Sequence, residues 1–299
     1  MLRRGDLHGL SRARVQRLVT EGRVFVNGRR ATRPAQRVQL GDVVQLEVGT
    51  ARPRPAPVAE ALPIEVVFED GDLLVVNKAP GQVVHPSFKN ASGTLLNGLL
   101  ELAGRGGGAW QPHLVQRLDK GTSGLLLVAK SRAVQTALQQ AAFTKEYLAL
   151  VWGRPTPAAG RIETRLGRDP LDRRRVVATL DGAVAVTEYR TLARSRDGAR
   201  GVTLLCCRLV TGRTHQLRVH LADRGWPLVG DPVYRTPTRG RLPDPHLHRA
   251  ALQFPRQALH AWRLAFAHPR SGSALRFLAD PPIDLATLLH GMALRVPAR

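Results

Sequence analysis

The sequence predicts an α+β fold, with a larger domain built on a mixed, mainly antiparallel sheet and a small basic helix-and-hairpin domain in front of it. Three observations carry this. Short apolar runs bounded by turn residues recur from residue 64 onward, against one clear amphipathic helical pattern. A proline-rich stretch, Ala51 to Pro63 with Pro53, Pro55, Pro57 and Pro63, reads as a semi-extended linker. Residues 1 to 59 hold twelve arginines against four acids, a surplus of +8 in about a fifth of the chain. The expected domains are therefore 1–50, a linker at 51–63, and 64–299.

In the front domain Ser11 can cap a short helix with Val15, Leu18 and Val19 on one face and Arg12, Arg14 and Arg17 around it. Gly22 stops that helix, Val24-Phe25-Val26 reads as a strand, and Asn27-Gly28 is a hairpin turn. Val38 to Val48 supplies further strand residues around Gly41-Asp42. Beyond the linker, Ile64 to Phe68 and Leu73 to Asn77 form a hairpin across Glu69-Asp70-Gly71-Asp72. Leu125 to Ala129, Tyr147 to Trp152, Ala183 to Tyr189, Val202 to Leu209 and His215 to Leu221 read as strands. The helix runs from Arg132 to about Phe143, capped by Ser131. A strand at 215–221 would group Gln216, Arg218 and His220 on one face and His215, Leu217 and Val219 on the other.

With 299 residues, 43% of them apolar, the chain can bury one sizeable core beside a small accessory domain. Its formal charge of +22 comes from 45 basic and 23 acidic residues, which makes nucleic acid the leading partner. Forty of those basic residues are arginines, so part of the excess reflects composition. No apolar run approaches the roughly 20 residues needed to span a bilayer, and no apolar signal region follows Met1. A cytoplasmic protein without membrane association is expected. The only cysteines, Cys206 and Cys207, are neighbours in an apolar strand and read as packing residues. His246-x-His248 and the pair His215 and His220 lack accompanying carboxylates or thiols, so no metal is expected, and His246 and His248 are read as surface loop residues. Lys78-Ala79-Pro80-Gly81 lacks the glycine-rich loop of a nucleotide-hydrolase phosphate cradle.

The most informative segment is Gln116-Arg117-Leu118-Asp119-Lys120-Gly121-Thr122-Ser123-Gly124, which enters the apolar run Leu125 to Ala129. It presents the Asp119 carboxylate where a loop meets a buried strand. A loop cap or a structural Arg-x-Asp ion pair would use the same residues.

Further segments follow in order: Asn77-Lys78-Ala79-Pro80-Gly81 with Val84-His85-Pro86, then Lys145-Glu146-Tyr147-Leu148-Ala149, then Leu209 to Leu221 with Gly230-Asp231-Pro232-Val233-Tyr234, and finally Leu259-His260-Ala261 with Phe266-Ala267-His268-Pro269. Together with Arg117-Leu118-Asp119 and Thr122-Ser123-Gly124-Leu125 they resemble the RluA-type RNA pseudouridine synthases over nearly the whole chain. The front module, through Glu21 to Gly28 and Gly41-Asp42, resembles the small alpha-L RNA-binding module of a ribosomal small-subunit protein, with Arg12, Arg14, Arg17 and Arg23 as its RNA contacts and a shortened first helix.

The resemblance implies that specific uridines in structured RNA are isomerised without a cofactor. Asp119 is implied as the catalytic carboxylate, with Arg218 as its charge partner and Tyr147 packing on the target uracil. Arg117 is implied to enter the stack vacated by the flipped base, and Lys78 to touch RNA phosphate. His85, Thr122, Arg213, His215 and Gln216 complete the implied substrate-binding set, while Lys120 is read as a solvated neighbour. Whether Asp119 attacks the sugar, attacks the ring or abstracts a proton stays open. Gln116 stands where the family carries histidine; it can donate and accept hydrogen bonds but cannot carry a proton. The front module ranks ribosomal RNA, of the large subunit first, above transfer RNA, and the protein is expected to be a monomer. Two other classes are a non-catalytic RNA-binding ribosome-assembly factor and a nucleoside or glycoside hydrolase, for which no second positioned carboxylate is identified.

Overall fold

The structure, a computed structural model, describes residues 12–47, 56–87, 90–105, 107, 110–172, 174–195, 201–235 and 242–297. By internal contacts the chain divides into Met1–Ala56 and Pro57–Arg299. The front unit contains α1 (Arg12–Thr20), β1 (Val24–Val26), β2 (Arg29–Arg30) and β3 (Val44–Leu46), in the sheet order β2-β1-β3. Leu18 and Val19 from the apolar side of α1 pack with Val24 and Ala31. Asn27 and Gly28 both have positive φ, 50° and 77°, as a two-residue turn between right-twisted strands requires. The Asn27 side chain donates to Asp42 and accepts from the Val43 N–H, tying this turn to the 41–43 segment. Among the described residues of the expected 38–48 strand, Val44–Leu46 pair with β1. Ser11 and the side chains of Arg12 and Arg14 lie outside the described residues. Arg17 and Arg23 flank Glu21 at 3.8 and 3.7 Å.

The unit boundary falls inside the expected linker. The second half of that stretch docks onto the larger unit, where Val58 O accepts from Asn97 Nδ2 and the Glu60 N–H donates to Asn97 O. These bonds hold it to α2 (Leu95–Arg105), a helix absent from the sequence reading. Thr94 and Asn97 cap α2 reciprocally, Asn97 Oδ1 accepting the Thr94 N–H while Thr94 Oγ1 accepts that of Asn97.

Around α2 the larger unit runs β4 (Glu65–Glu69), β5 (Leu73–Lys78), β6 (His113–Leu114), β7 (Ser123–Ala129), α3 (Arg132–Gln140), β8 (Thr144–Trp152), β9 (Ala159–Arg168), β10 (Val176–Ala178), β11 (Ala183–Arg194), β12 (Val202–Leu209), α4 (Gln216–Asp223), α5 (Pro245–Leu252), β13 (Leu259–Ala267), β14 (Ala274–Leu278) and α6 (Ile283–Gly291). One sheet follows the order β10-β9-β11-β12-β8-β13-β7-β5-β4, with β14 on β13 and β6 on β7. Its described pairs are antiparallel except β7 with β13. The sheet is therefore mixed and mainly antiparallel, as the sequence predicts.

Both faces of the central strands are buried, which explains their unbroken apolar runs. On β8, Tyr147, Ala149 and Val151 enter the cluster with α2 and α4, while Leu148, Leu150 and Trp152 enter the cluster beneath α5 and α6. Cys206 and Cys207 alternate in the same way and are buried free thiols. Gly124 sits at φ +108° where β7 meets β13, and a Cβ there would lie 2.2 Å from Ala261 O. Only glycine lets the two backbones approach this closely.

Three further expectations are corrected. The helix after Ser131 ends at Gln140 rather than Phe143, because the Ala141 backbone turns extended. His246 is exposed as expected, but it and His248 belong to the helix α5 and not to a loop; its Asp244 cap accepts from the His246 and Leu247 N–H groups, and the His248 ring packs edge-on against Trp152. The predicted strand at 215–221 is the helix α4. Residues 216–221 are all buried, so no polar face betrayed the helical period.

Candidate active site

Asp119 opens the tight turn that enters β7 at Ser123, with the Thr122 N–H donating to Asp119 O at 3.0 Å. The carboxylate is 26% exposed and its Oδ2 accepts from Arg218 Nη1 at 3.0 Å. Arg218 is 5% exposed. Its other edge is spent on Asp231, with Nε to Oδ2 at 2.7 Å and Nη2 to Oδ1 at 2.9 Å. Asp231 is held in turn by the N–H groups of Val233 and Tyr234. Burial works to raise the Asp231 pKa, but Arg218 and these two donors bring it below the usual carboxylate range. Burial also works against the Arg218 charge, and the two aspartates more than offset it, so the guanidinium stays protonated. One arginine thus aims a single nitrogen at Asp119 because the rest of its fork is locked.

Helix geometry changes the grouping that the strand reading predicted. Gln216 and His220, one turn apart, both face β11: Gln216 Nε2 donates to Val186 O and Thr187 Oγ1, and His220 Nδ1 pairs with Thr187 Oγ1. Arg218 points away from them toward Asp119. His215, on the strand's opposite face in the earlier reading, falls with Arg218, and its Nε2 lies 3.8 Å from Asp119 Oδ2. His215 has φ 55° at the helix start. Burial lowers its pKa despite the nearby Asp119, so the ring is neutral at pH 7. Tyr234 Oη accepts the Val176 N–H at 2.8 Å and pairs with His215 Nδ1 at 2.8 Å, which orients the ring with Nε2 on the Asp119 side.

Tyr147 comes from β8 and is 6% exposed. Burial, and secondarily the Asp119 charge, raise its pKa, so the phenol stays neutral. Arg117, Leu118, Asp119, Thr122, Tyr147, Arg213, His215 and Arg218 share a small cavity of about 60 Å³. Asp119, His215 and Arg218 also line a cleft of about 1150 Å³ that includes Lys120, Arg174 and Arg256. A large basic-edged cleft leading to a small pocket suits a polyanion that inserts one group.

Not every expected contact residue faces this space. Lys78 is 1% exposed, and its Nζ donates to Ala79 O, Gln82 O and Lys120 O, so burial removes it from any phosphate. Burial, then Arg256, lower its pKa to about 7 against the pull of Asp119. The Thr122 hydroxyl is committed to Gln257, and Gln216 braces α4 and the preceding loop. Arg213 is exposed and donates to Val184 O, while Arg117 reaches Thr214 Oγ1 at 3.1 Å. His85 is exposed, and partial desolvation and then the Arg117 charge lower its pKa. Lys120 is exposed as expected. Gln116 donates to Leu125 O, a tie to β7. Asp231, Tyr234, Arg256 and Gln257 were not singled out as site residues. The signal for the first two was present in Gly230-Asp231-Pro232-Val233-Tyr234, but a charge partner cannot be paired with its arginine without the fold.

The family model for RNA pseudouridylate synthase matches residues 72–223, which span Asp119, Tyr147 and Arg218. The chain belongs to the RNA pseudouridylate synthase family. An S4 domain model matches residues 7–44 of this synthase. It is 41% identical over 287 residues to ribosomal large subunit pseudouridine synthase D of Nitrosomonas europaea, covering 94% of this chain and 80% of that one. It is also 45% identical over 297 residues to an uncharacterised RNA pseudouridine synthase of Chloroflexus aurantiacus, covering 96% and 87%. Among solved structures, human RNA pseudouridylate synthase domain containing 4 superposes with a TM-score of 0.63 at 26% identity, covering 78% of this chain and 95% of that one. The synthase is an enzyme of RNA modification with an S4 RNA-binding domain. No helix among its described residues is long and apolar enough to cross a membrane.

Proposed function

We propose that this synthase converts uridine to pseudouridine in structured large-subunit ribosomal RNA and that Asp119 is the group acting on the nucleotide. The observation that carries the assignment is the Asp119 carboxylate at the junction of pocket and cleft, held by one nitrogen of a buried arginine whose other edge is locked. The reaction breaks the C1′–N1 bond, rotates the uracil, forms C1′–C5, moves the C5 hydrogen off and leaves a hydrogen on N1. It is an isomerisation, so one well-placed carboxylate suffices where hydrolysis of a glycosidic bond uses two.

In this reading Arg218 holds the Asp119 carboxylate in place through their 3.0 Å ion pair. Tyr147 supplies a planar surface for the extruded uracil, and Arg117, exposed beside the pocket, enters the gap left in the stack. His215 Nε2 and the Arg213 guanidinium are available to the nucleotide. Arg12, Arg14 and Arg17 of α1 and Arg23 beyond it belong to the front module's RNA surface. The relatives named for the large ribosomal subunit and the S4 domain support ribosomal RNA as substrate, which implies a cytoplasmic enzyme. The enzyme is read as a monomer acting without a cofactor.

Tritium release from unmodified ribosomal RNA transcripts labelled at uracil C5 tests the assignment. The wild type is expected to release label and Asp119→Asn to release none, with RNA affinity retained. Release by Asp119→Asn at the wild-type rate would sink the role of Asp119. Release from transfer RNA transcripts alone would replace the substrate.

A further inference from the structure

The loop that carries Asp119 is held from a part of the chain that the family model, ending at residue 223, does not reach. Lys120 O accepts from the Gly81 N–H at 2.8 Å and Lys78 Nζ at 3.3 Å. The next carbonyl, Gly121 O, accepts from Arg256 Nη1 at 3.0 Å. One residue on, Thr122 Oγ1 accepts from Gln257 Nε2 at 3.1 Å. Gly121 leaves the room for this, since a Cβ there would lie 2.5 Å from Gln257 Oε1.

Arg256 is 7% exposed and is clamped by Asp284 at the start of α6, with Nε to Oδ2 at 2.7 Å and Nη2 to Oδ1 at 2.8 Å. Asp284 Oδ1 is itself fixed by the Leu285 N–H. The Phe254 ring packs against the guanidinium, 5.3 Å from its carbon. A bidentate clamp leaves Nη1 one direction to point, toward Gly121 O and the Gln257 carbonyl. The device repeats the one at Arg218, where Asp231 locks the fork and the remaining nitrogen does the work. There the free nitrogen meets the carboxylate itself; here it meets the backbone two residues along.

We propose that Arg256, clamped by Asp284, is a positioning residue that sets the height of the Asp119 carboxylate in the pocket. The inference rests on the reading of Asp119 as the acting group. Displacing a catalytic group by about 1 Å can cost on the order of 100-fold in rate without loss of binding. Arg256 does not itself line the small pocket; its Nη1 meets Gly121 O in the loop and, at 3.5 Å, Leu259 O, while the residue lines the wider cleft.

The test compares full-length Arg256→Lys, Arg256→Gln, Asp284→Asn and the Arg256→Gln/Asp284→Asn double variant with wild type on the same transcripts, reading kcat, KM, RNA Kd and Tm. Asp119→Asn serves as a reference. Arg270→Gln serves as a stability control, because it breaks another Arg–Asp pair, with Asp72, far along the sequence from the loop. The expected result is a kcat lowered roughly 10- to 100-fold in both Arg256 variants, with KM and Kd within about twofold in Arg256→Lys, which keeps the charge that lines the cleft. Asp284→Asn lowers kcat alone but adds little to Arg256→Gln, because it acts through that arginine. Arg270→Gln lowers Tm and leaves kcat unchanged. A wild-type kcat in the folded Arg256 variants would overturn the proposal, as would additive losses in the double variant or an equal kcat loss in Arg270→Gln. If Arg256→Gln does not fold, Asp284→Asn and Arg256→Lys decide on the same readouts. Full turnover by Asp119→Asn would remove the reading beneath; an inactive Asp119→Asn beside fully active Arg256 variants would remove only the positioning.

Discussion

Arg218 carries two duties on one guanidinium, because Asp231 takes two nitrogens and leaves Nη1 for Asp119. Its ring contact, 5.0 Å over Tyr234, further limits where the fork can go. Replacing it by leucine removes the cation from both aspartates at once. Arg218→Leu is expected to lose about 100-fold or more in kcat, the scale of losing one preorganised donor at a reacting centre, with RNA Kd changed only about threefold. Steady-state kinetics beside filter binding check this, and unchanged turnover would refute the pairing. Leaving Asp231 buried without its counter-charge costs stability, on the order of 3–5 kcal/mol, so the assay belongs below the variant's own Tm. Lys78 marks the limit of reading single residues. Its motif was visible, but a lysine buried against three carbonyls and one facing a phosphate have the same local sequence.

At the level of elements, the strands flanking the site were legible because β5, β7, β8 and β12 are apolar runs of strand length bounded by turn residues. The helix α4 was not. Its polar residues are buried and satisfied inside the fold, so the sequence alternates without showing which period is real. That difference decides the site, since only a helix turns His215 and Arg218 to the same carboxylate. The crossing of β7 and β13 shows the opposite case, where one glycine states its geometry plainly. Gly124→Ala places a methyl group against Ala261 O at a backbone angle that L residues avoid. It is expected to destabilise the protein by roughly 3 kcal/mol or more, seen as a lower midpoint in urea unfolding. A wild-type midpoint would mean that the two strands can separate at little cost.

For the molecule as a whole, acid stability follows from histidines that the fold keeps neutral. His220 and His260 are fully buried, and burial lowers each pKa from 6.5 to about 4, with Arg224 adding for His220 and the Ala279 carbonyl opposing for His260. Between those values the unfolded chain binds protons that the folded chain refuses, so stability is present above pH 6.5 and falls as pH drops toward 4. The expected loss is roughly 2 kcal/mol for each histidine by pH 5, measured as urea-unfolding free energy. His220→Gln should flatten that slope by about half of the histidine contribution; an unaltered slope would remove His220 from the account.

By itself the sequence determined the two-part organisation, the α+β class and the basic character of the chain, and through its ordered family motifs it pointed to Asp119. The first three are written in local signals: turn residues, apolar runs, a proline-rich stretch and a count of charges. Only the tertiary structure decided that 215–221 folds as a helix and that residues 57–63 dock on α2. It alone decided that Lys78 is buried, and that Asp231 and Asp284 lock the arginines at positions 218 and 256. The reason is physical. A buried polar residue is defined by the partner that satisfies it, and Arg218 finds Asp119 99 residues away. Arg256 reaches Gly121 across 135 residues. No local pattern carries that information.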